Sequence, residues 1–158
     1  MPPPVILDPS GLSFEEAEPL SQVHAYNPQR HEFALLDRVI HFDPENMVAA
    51  GYHDVSEDGW WTRGHVPGRP LFPGVLMIEV AAQLASYVTH RLLPELDDRF
   101  VGFAGVDDVK FRGAVSPPAR FVVVNQGLTV KPRRSICLSQ GFVDGVMVFE
   151  AKITGMPV

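Results

Sequence analysis

The feature that most constrains the fold is an apolar segment at residues 75–93, which contains no proline or glycine and ends before Pro94. Its length predicts a helix of about five turns, because an α-helix has 3.6 residues per turn. Its polar side chains at Glu79, Gln83, Ser86 and His90 recur every three to four residues and form one narrow stripe. The rest of the helix is apolar nearly all round, so we predict that other elements bury it.

Segments on both sides of this helix have the composition and periodicity of β-strands. The candidates are residues 33–42, 47–55, 100–111, 120–130, 135–143 and 146–154. Asp144 and Gly145 predict a two-residue hairpin turn between the last two candidates. A curved antiparallel sheet wrapped round one long central helix would bury that helix, so the predicted fold class is α+β.

The N-terminal region differs from the rest of the chain. Residues 1–30 are rich in Pro, Glu and Ser and show little periodicity, which predicts a partly extended arm with a short helical turn near residues 13–16. Residues 31–158 then form a single domain, a size that suits one hydrophobic core.

Composition argues against several classes of protein. The net charge of −6 argues against a general nucleic-acid binder, which usually carries a basic excess. The single cysteine, Cys137, cannot form an intramolecular disulfide, which fits a reducing compartment. The N-terminus has neither a basic n-region nor a long apolar stretch, and no apolar run approaches the ~20 residues that span a bilayer. We therefore expect a cytoplasmic protein without a membrane span.

The loop before the helix brings together residue types that suit one kind of chemistry. His65 lies where Pro67 and Pro70 restrict the backbone, and the loop ends at a helix N-terminus near Gly74. Free N–H groups at that terminus can bind an oxyanion. Glu79 then lies inside an apolar helix, where a carboxylate needs a partner or a function. A base, an oxyanion site and an acid this close together suit proton abstraction next to a carbonyl.

Structural roles for the same residues stay open at this point. His65 could be an ordinary loop histidine, Gly74 a tight-turn glycine, and Glu79 a residue favoured by the positive end of the helix dipole. The remaining histidines lack the spacing of metal ligands, so neither a metal site nor a cofactor is expected. They are His24, His31, His41, His53 and His90.

The segment nevertheless resembles the 3-hydroxyacyl-acyl-carrier-protein dehydratases of fatty-acid synthesis. Their motif reads roughly Gly-His-Phe-Pro-Gly-x-Pro-x-x-Pro-Gly-Val-Leu-x-x-Glu-Ala-x-x-Gln. The residues that match in register are Gly64, His65, Pro67, Gly68, Pro70, Pro73, Gly74, Val75, Leu76, Glu79 and Gln83. The resemblance extends over residues 31 to about 155, and the glutamate at position 79 favours the FabZ type over the FabA type, which has aspartate there.

The resemblance implies a hot-dog fold and a homodimer whose active sites lie between the subunits, with a trimer of dimers as the larger alternative. His65 of one subunit would take the C2 proton of a 3-hydroxyacyl thioester, and Glu79 of the other would help the C3 hydroxyl leave as water. The Gly74 N–H would hold the thioester carbonyl oxygen. The product would be a trans-2-enoyl thioester, and no metal or organic cofactor is implied.

The sequence departs from the family pattern near the substrate. Val66 and Val80 stand where the family has Phe and Ala, so they change the shape of the acyl tunnel, for which Phe72 and Gln83 are further candidates. The carrier would be acidic acyl carrier protein, with coenzyme A as the alternative. Since this chain is also acidic, docking needs a local cationic rim. The candidates for that rim are Arg63, Arg69, Lys110 and Arg112.

Two other functions stay open. A hot-dog thioesterase or isomerase would use the same scaffold on acyl thioesters, and a non-catalytic relative would hold an acyl chain without reaction. His65 and Glu79 together, in this register, favour the dehydratase.

Overall fold

The computed structural model describes residues 3–15 and 17–158. Its helices are α1 (Leu20–Tyr26) and α2 (Gly74–Leu92), with 3-10 turns at Pro9–Gly11, His31–Phe33 and Pro94–Leu96. Its strands are β1 (Arg38–Asp43), β2 (Val48–Val55), β3 (Val101–Phe111), β4 (Ala119–Lys131), β5 (Arg134–Val143) and β6 (Val146–Pro157). They form one antiparallel sheet in the order β1-β2-β4-β5-β6-β3. This confirms the predicted α+β class.

Helix α2 lies against the inner face of the sheet and contacts strands β2 to β6. Val80, Leu84, Tyr87 and Val88 are fully buried in the main core, where they pack with Phe121 and other side chains of the sheet. Each such side chain stabilises the fold by about 1.5–3 kcal/mol relative to leaving it exposed. The prediction of a buried central helix is confirmed, and its ends lie one residue before the predicted ones.

The first strand is shorter than its composition predicts. It begins at Arg38 rather than at residue 33, because His31–Phe33 forms a 3-10 turn. The backbone N–H groups of Leu35 and Leu36 then bind the side chain of Gln83 on α2 instead of a neighbouring strand. The predicted turn at Asp144 and Gly145 is confirmed, and both residues have the positive φ of a type I′ hairpin.

The N-terminal arm is more ordered than an extended segment. It contains the turn at Pro9–Gly11 and the short helix α1, which the sequence analysis did not predict. The helical turn predicted near residues 13–16 falls partly on Glu16, which lies outside the described residues, and residues 13–15 are not helical.

The arm covers an apolar cluster on the outer face of the sheet, away from α2. The cluster consists of Ile40, Val48, Ala50, Tyr52, Val122, Val124 and Phe142, and arm residues such as Ile6 and Phe14 pack against it. The buried side chain of Gln140 fixes the arm, since its Oε1 accepts from the Ile6 N–H at 2.9 Å and its Nε2 donates to the Pro4 carbonyl at 2.9 Å. The outer face is thus closed by the chain itself.

The end of the arm is attached to α2 through polar side chains. Glu18 accepts hydrogen bonds from the Tyr87 hydroxyl and from Arg91. Burial, together with the hydrogen bond to Glu18, raises the pKa of Tyr87 above its usual value. The described part of the chain has no helix that is both long and apolar enough to span a bilayer.

Candidate active site

His65 lies in an exposed loop, and its ring orientation is fixed by one backbone contact. Its Nδ1 is 2.9 Å from the carbonyl oxygen of Leu71. A carbonyl oxygen can only accept, so this hydrogen bond requires a proton on Nδ1, and in the neutral ring the lone pair is then on Nε2. The loop therefore presents the tautomer of His65 that a general base requires.

The N-terminus of α2 lies in the same groove. The N-cap residue, Pro73, provides no side-chain hydrogen bond, so the first N–H groups of the helix are left for another acceptor. A Cβ at Gly74 would lie only 2.8 Å from Cε1 of Phe111, so the close packing of that ring requires glycine here. Gly74, His65, Phe72 and Phe111 line an open groove of about 590 Å³. We call it the His65 groove.

Glu79 is held by a hydrogen-bond network inside the fold. Gln83 donates from Nε2 to Oε1 of Glu79 at 2.9 Å and to the Phe33 carbonyl at 2.7 Å. Its Oε1 accepts from the backbone N–H groups of Leu35 at 3.1 Å and Leu36 at 3.0 Å. All the hydrogen-bonding capacity of this buried amide is used, so Gln83 fixes the orientation of the Glu79 carboxyl group.

A cavity of about 170 Å³ adjoins Glu79, and we call it the Glu79 cavity. It lies between the polar stripe of α2 and the adjacent ends of β3 and β6. Its wall includes Glu79, Gln83 and Ser86 on the helix and Phe100 and Phe103 on or beside β3. It is more enclosed than the His65 groove and combines polar and apolar groups.

Within one chain, the His65 groove and the Glu79 cavity share no lining residue. Helix α2 runs antiparallel to β3, since Gly74 packs on Phe111 at one end of the strand and Ser86 lies near Phe103 at the other. The two catalytic candidates therefore line separate pockets of the subunit.

The predicted tunnel residues occupy different environments. Phe72 lines the His65 groove and stacks on His53, with ring centroids 5.3 Å apart. Val66 is half-buried in the loop next to His65, and Gln83 lines the Glu79 cavity. Val80 is fully buried in the core and lines neither pocket. A tunnel role for these residues stays a prediction, and Val80 could act only through the packing of α2.

The four cationic candidates divide into two pairs. Lys110 and Arg112, at the end of β3, both contact Glu150, at 4.0 Å and 2.9 Å. Arg63 and Arg69 are exposed on either side of His65 and form no ion pair within residues 3–15 and 17–158. Arg63 and Arg69 are therefore more available than Lys110 and Arg112 to bind an anionic partner.

The sequence analysis did not identify three contributors to these pockets. The Leu71 carbonyl fixes His65, but a backbone acceptor has no sequence signature. Ser86 belongs to the predicted polar stripe, but nothing in the sequence distinguishes it from the other residues of that stripe. Gln29 lines the Glu79 cavity from the arm, where only the tertiary structure places it.

With this geometry established, comparison with known proteins identifies the family. The FabA-like domain family matches residues 27–152, so the chain belongs to that family. The six-stranded antiparallel sheet and its central helix are accordingly a hot-dog fold.

Solved structures with the same fold have diverse descriptions. The ApeI:P dehydratase heterocomplex from Xenorhabdus doucetiae matches with a TM-score of 0.72 and 18% identity, over 86% of this chain and 90% of that one. A sigma28-regulated virulence protein from Campylobacter jejuni matches with a TM-score of 0.67 and 14% identity, over 94% of each chain. A mutant thioesterase from Pseudomonas aeruginosa matches with a TM-score of 0.66 and 17% identity, over 88% of this chain and 94% of that one. At these identities the likeness concerns the fold alone.

Proposed function

We propose that this protein dehydrates a 3-hydroxyacyl thioester to the trans-2-enoyl thioester. The observation that carries the proposal is the His65 ring, which is oriented by Leu71 with Nε2 free, in the same groove as the uncapped N-terminus of α2. A base beside oxyanion donors is what removal of a proton next to a thioester carbonyl requires.

The reaction assigns one step to each group. Nε2 of His65 takes a proton from C2 while the Gly74 N–H donates to the thioester oxygen, where negative charge develops. The electrons of the broken C2–H bond form the C2–C3 double bond, and the C3–O bond breaks. Glu79 in its protonated form, directly or through one water, donates a proton to the C3 hydroxyl, which leaves as water. The proton on His65 then passes to solvent, and Glu79 takes up another proton before the next turnover. Gln83 acts as a positioning residue because it orients Glu79.

A dimer would join the two half-sites. Strand β3 is an edge of the sheet and, within the described residues, pairs only with β6. It also exposes apolar side chains, including Phe103 at 46% and Phe111 at 52%. An open edge with exposed aromatic rings favours pairing with another strand.

Antiparallel pairing of β3 with the same strand of a second copy would bring His65 and Glu79 into one site. Phe111 marks the end of β3 at the His65 groove, and Phe103 marks the end at the Glu79 cavity. Two-fold symmetry brings opposite ends of the paired strands together. Each His65 groove would then lie next to the Glu79 cavity of the other subunit, which gives two shared sites per homodimer.

The carrier would be an acidic acyl carrier protein with a phosphopantetheine-linked chain, with a coenzyme A thioester as the alternative. The chain carries a net charge of −6, so docking of an acidic carrier relies on local cations. Arg63 and Arg69 would supply them beside His65, and Lys110 and Arg112, which both contact Glu150, would add to them at the end of β3. A role in fatty-acid or related acyl-chain synthesis, in the cytoplasm, stays a prediction.

One assay separates the candidate functions. The protein is incubated with 3-hydroxyacyl and enoyl thioesters while enoyl absorbance and free thiol are followed. We expect interconversion of the two thioesters without thiol release. Thiol release would instead support a thioesterase, in which Glu79 would activate water, and binding without either change would support a non-catalytic acyl-binding protein.

A further inference from the structure

Two buried polar atoms at the Glu79 cavity have no hydrogen-bond partner in the part of the chain that the structure describes. Ser86 is only 7% exposed, and its Oγ finds no partner within the described residues. The Oε1 atom of Gln29, on the facing arm segment, is also buried and has no partner among those residues, although Gln29 as a whole is half-buried. Both residues line the cavity. This contrasts with Gln83 in the same wall, whose amide group is fully paired.

Buried polar groups are nearly always paired, so two unpaired ones at a single cavity point to a missing partner. The cavity of about 170 Å³ far exceeds the roughly 10–15 Å³ that one water needs. A serine hydroxyl both donates and accepts, and an amide oxygen accepts. A hydroxyl group is the simplest ligand that can bind both, and it can do so even if the Gln29 amide is rotated so that its nitrogen faces the cavity.

The position of Ser86 relates this pair to the proposed substrate. Ser86 follows Glu79 by two turns on the same face of α2, about 10 Å along the helix axis. With C3 of the acyl chain at Glu79, the cavity near Ser86 lies several carbon atoms further along the chain. The wall between them includes apolar groups, such as Phe103 and Ala82, that suit methylenes.

We propose that Ser86 and Gln29 are specificity residues that bind a hydroxyl group on the acyl chain, well beyond the reacting carbons. The inference rests on the proposed function, because it takes Glu79 as the point where C3 lies. The preferred substrate class is then a 3-hydroxyacyl thioester whose chain carries a second, distal hydroxyl.

The test uses two sets of synthetic acyl-pantetheine thioesters of equal chain length. One set carries a single distal hydroxyl at successive positions, and the other is unsubstituted. At the best position we expect kcat/KM to favour the hydroxylated chain by about 3- to 10-fold, as for one or two neutral hydrogen bonds. Ser86→Ala and Gln29→Met should each reduce that preference, taken as the ratio of kcat/KM for the two chains measured with the same variant.

Ser139→Ala is the matched control. Its Oγ is also buried and has no partner within residues 3–15 and 17–158, but Ser139 lines a different cavity, between the arm and the outer face of the sheet. This variant should keep the full preference for the hydroxylated chain. Equal kcat/KM for both sets at every position, or equal loss of preference in Ser86→Ala and Ser139→Ala, would overturn the inference while leaving the dehydratase intact.

A binding measurement keeps the two proposals distinguishable. Saturated acyl-pantetheine thioesters that lack the 3-hydroxyl group cannot be dehydrated, so calorimetry with and without the distal hydroxyl measures recognition alone. Suppose that no substrate is dehydrated, but the hydroxylated chain binds more tightly and Ser86→Ala removes the difference. The proposed reaction is then wrong, and the proposed hydroxyl-binding site is supported. If both chains bind equally, so that water alone fills the cavity, the proposed hydroxyl-binding site is wrong.

Discussion

The His65 groove and the Glu79 cavity are built in opposite ways. His65 is exposed on a loop, and one backbone carbonyl fixes its ring. Glu79 lies on a buried helix, where Gln83 connects its carboxyl group to three backbone groups of residues 33–36. The groove is open to solvent, and the cavity is the more enclosed of the two.

The difference shows what each half-site lacks. The groove has a base and oxyanion donors, but water would compete there for every hydrogen bond and weaken it. The cavity offers a half-buried carboxyl group of fixed orientation and a partly apolar wall, without a histidine. Pairing of β3 between two copies would cover the groove with the more enclosed half-site. We therefore expect large losses of kcat when either His65 or Glu79 is removed. Residues that only support these two groups should have smaller effects, which can be measured separately.

The largest expected effect comes from removing either catalytic group. His65→Ala and Glu79→Gln should each lower kcat by about 10²- to 10⁴-fold, the range for a general acid or base. Circular dichroism and gel filtration should show that both variants stay folded and keep the oligomeric state of the parent. Rates near those of the parent would show that the assignment is wrong, and unfolding would point to a structural role.

Mixing the two inactive variants tests whether the half-sites come from different subunits. A mixed dimer would contain one site with His65 and Glu79 both intact and one site with neither. In an equal mixture, half of all dimers are mixed, and each has one intact site out of two. Activity should therefore return to about a quarter of that of the unmodified protein. Subunit exchange is verified by native mass spectrometry with one tagged chain. No recovery despite exchange would place both residues of a site on one chain.

The two regions also differ in how far the sequence predicts them. The motif from Gly64 to Gln83 identified both catalytic candidates, and the apolar helix together with alternating strands predicted the sheet round α2. The start of β1 was wrong because residues 35 and 36 bind Gln83, a tertiary contact that strand propensity does not contain. The Leu71 carbonyl and the position of Gln29 depend on how the loop and the arm fold, so no residue pattern reveals them.

A smaller effect should separate positioning from stability. Gln83→Met keeps the size of the side chain but leaves buried backbone groups unpaired, so the free energy of unfolding should fall by about 2–4 kcal/mol. The freed Glu79 carboxyl should also lower kcat by about 10-fold or more, since small misplacements of reacting groups are costly. Denaturant titration measures the first effect, and single-turnover kinetics measure the second.

Gln140→Met is the control for this comparison. Gln140 is also a buried glutamine with both ends of its amide paired to backbone, but it holds the arm on the outer face. It should lower the free energy of unfolding by a similar amount and leave kcat unchanged. If both variants lose kcat in proportion to stability, Gln83 has no specific role in orienting Glu79.

The smallest expected effect concerns the rim of the His65 groove. Arg63→Glu and Arg69→Glu reverse exposed charges without an ion-pair partner in the described part of the chain. Each should lower kcat/KM for a carrier-protein thioester by about 3- to 10-fold through slower association, and leave a short pantetheine thioester nearly unaffected. Arg112→Glu should lower the free energy of unfolding more than these two changes do, because Arg112 is paired with Glu150.

Salt provides a second test of the rim with the unmodified protein. It should lower kcat/KM for the carrier-protein thioester and not for the short pantetheine thioester, since the Debye length falls to about 3 Å at 1 M ionic strength. Equal losses on both substrates, or a rate independent of salt, would contradict the cationic rim and leave the dehydratase proposal standing, because the proposed reaction assigns no step to either arginine.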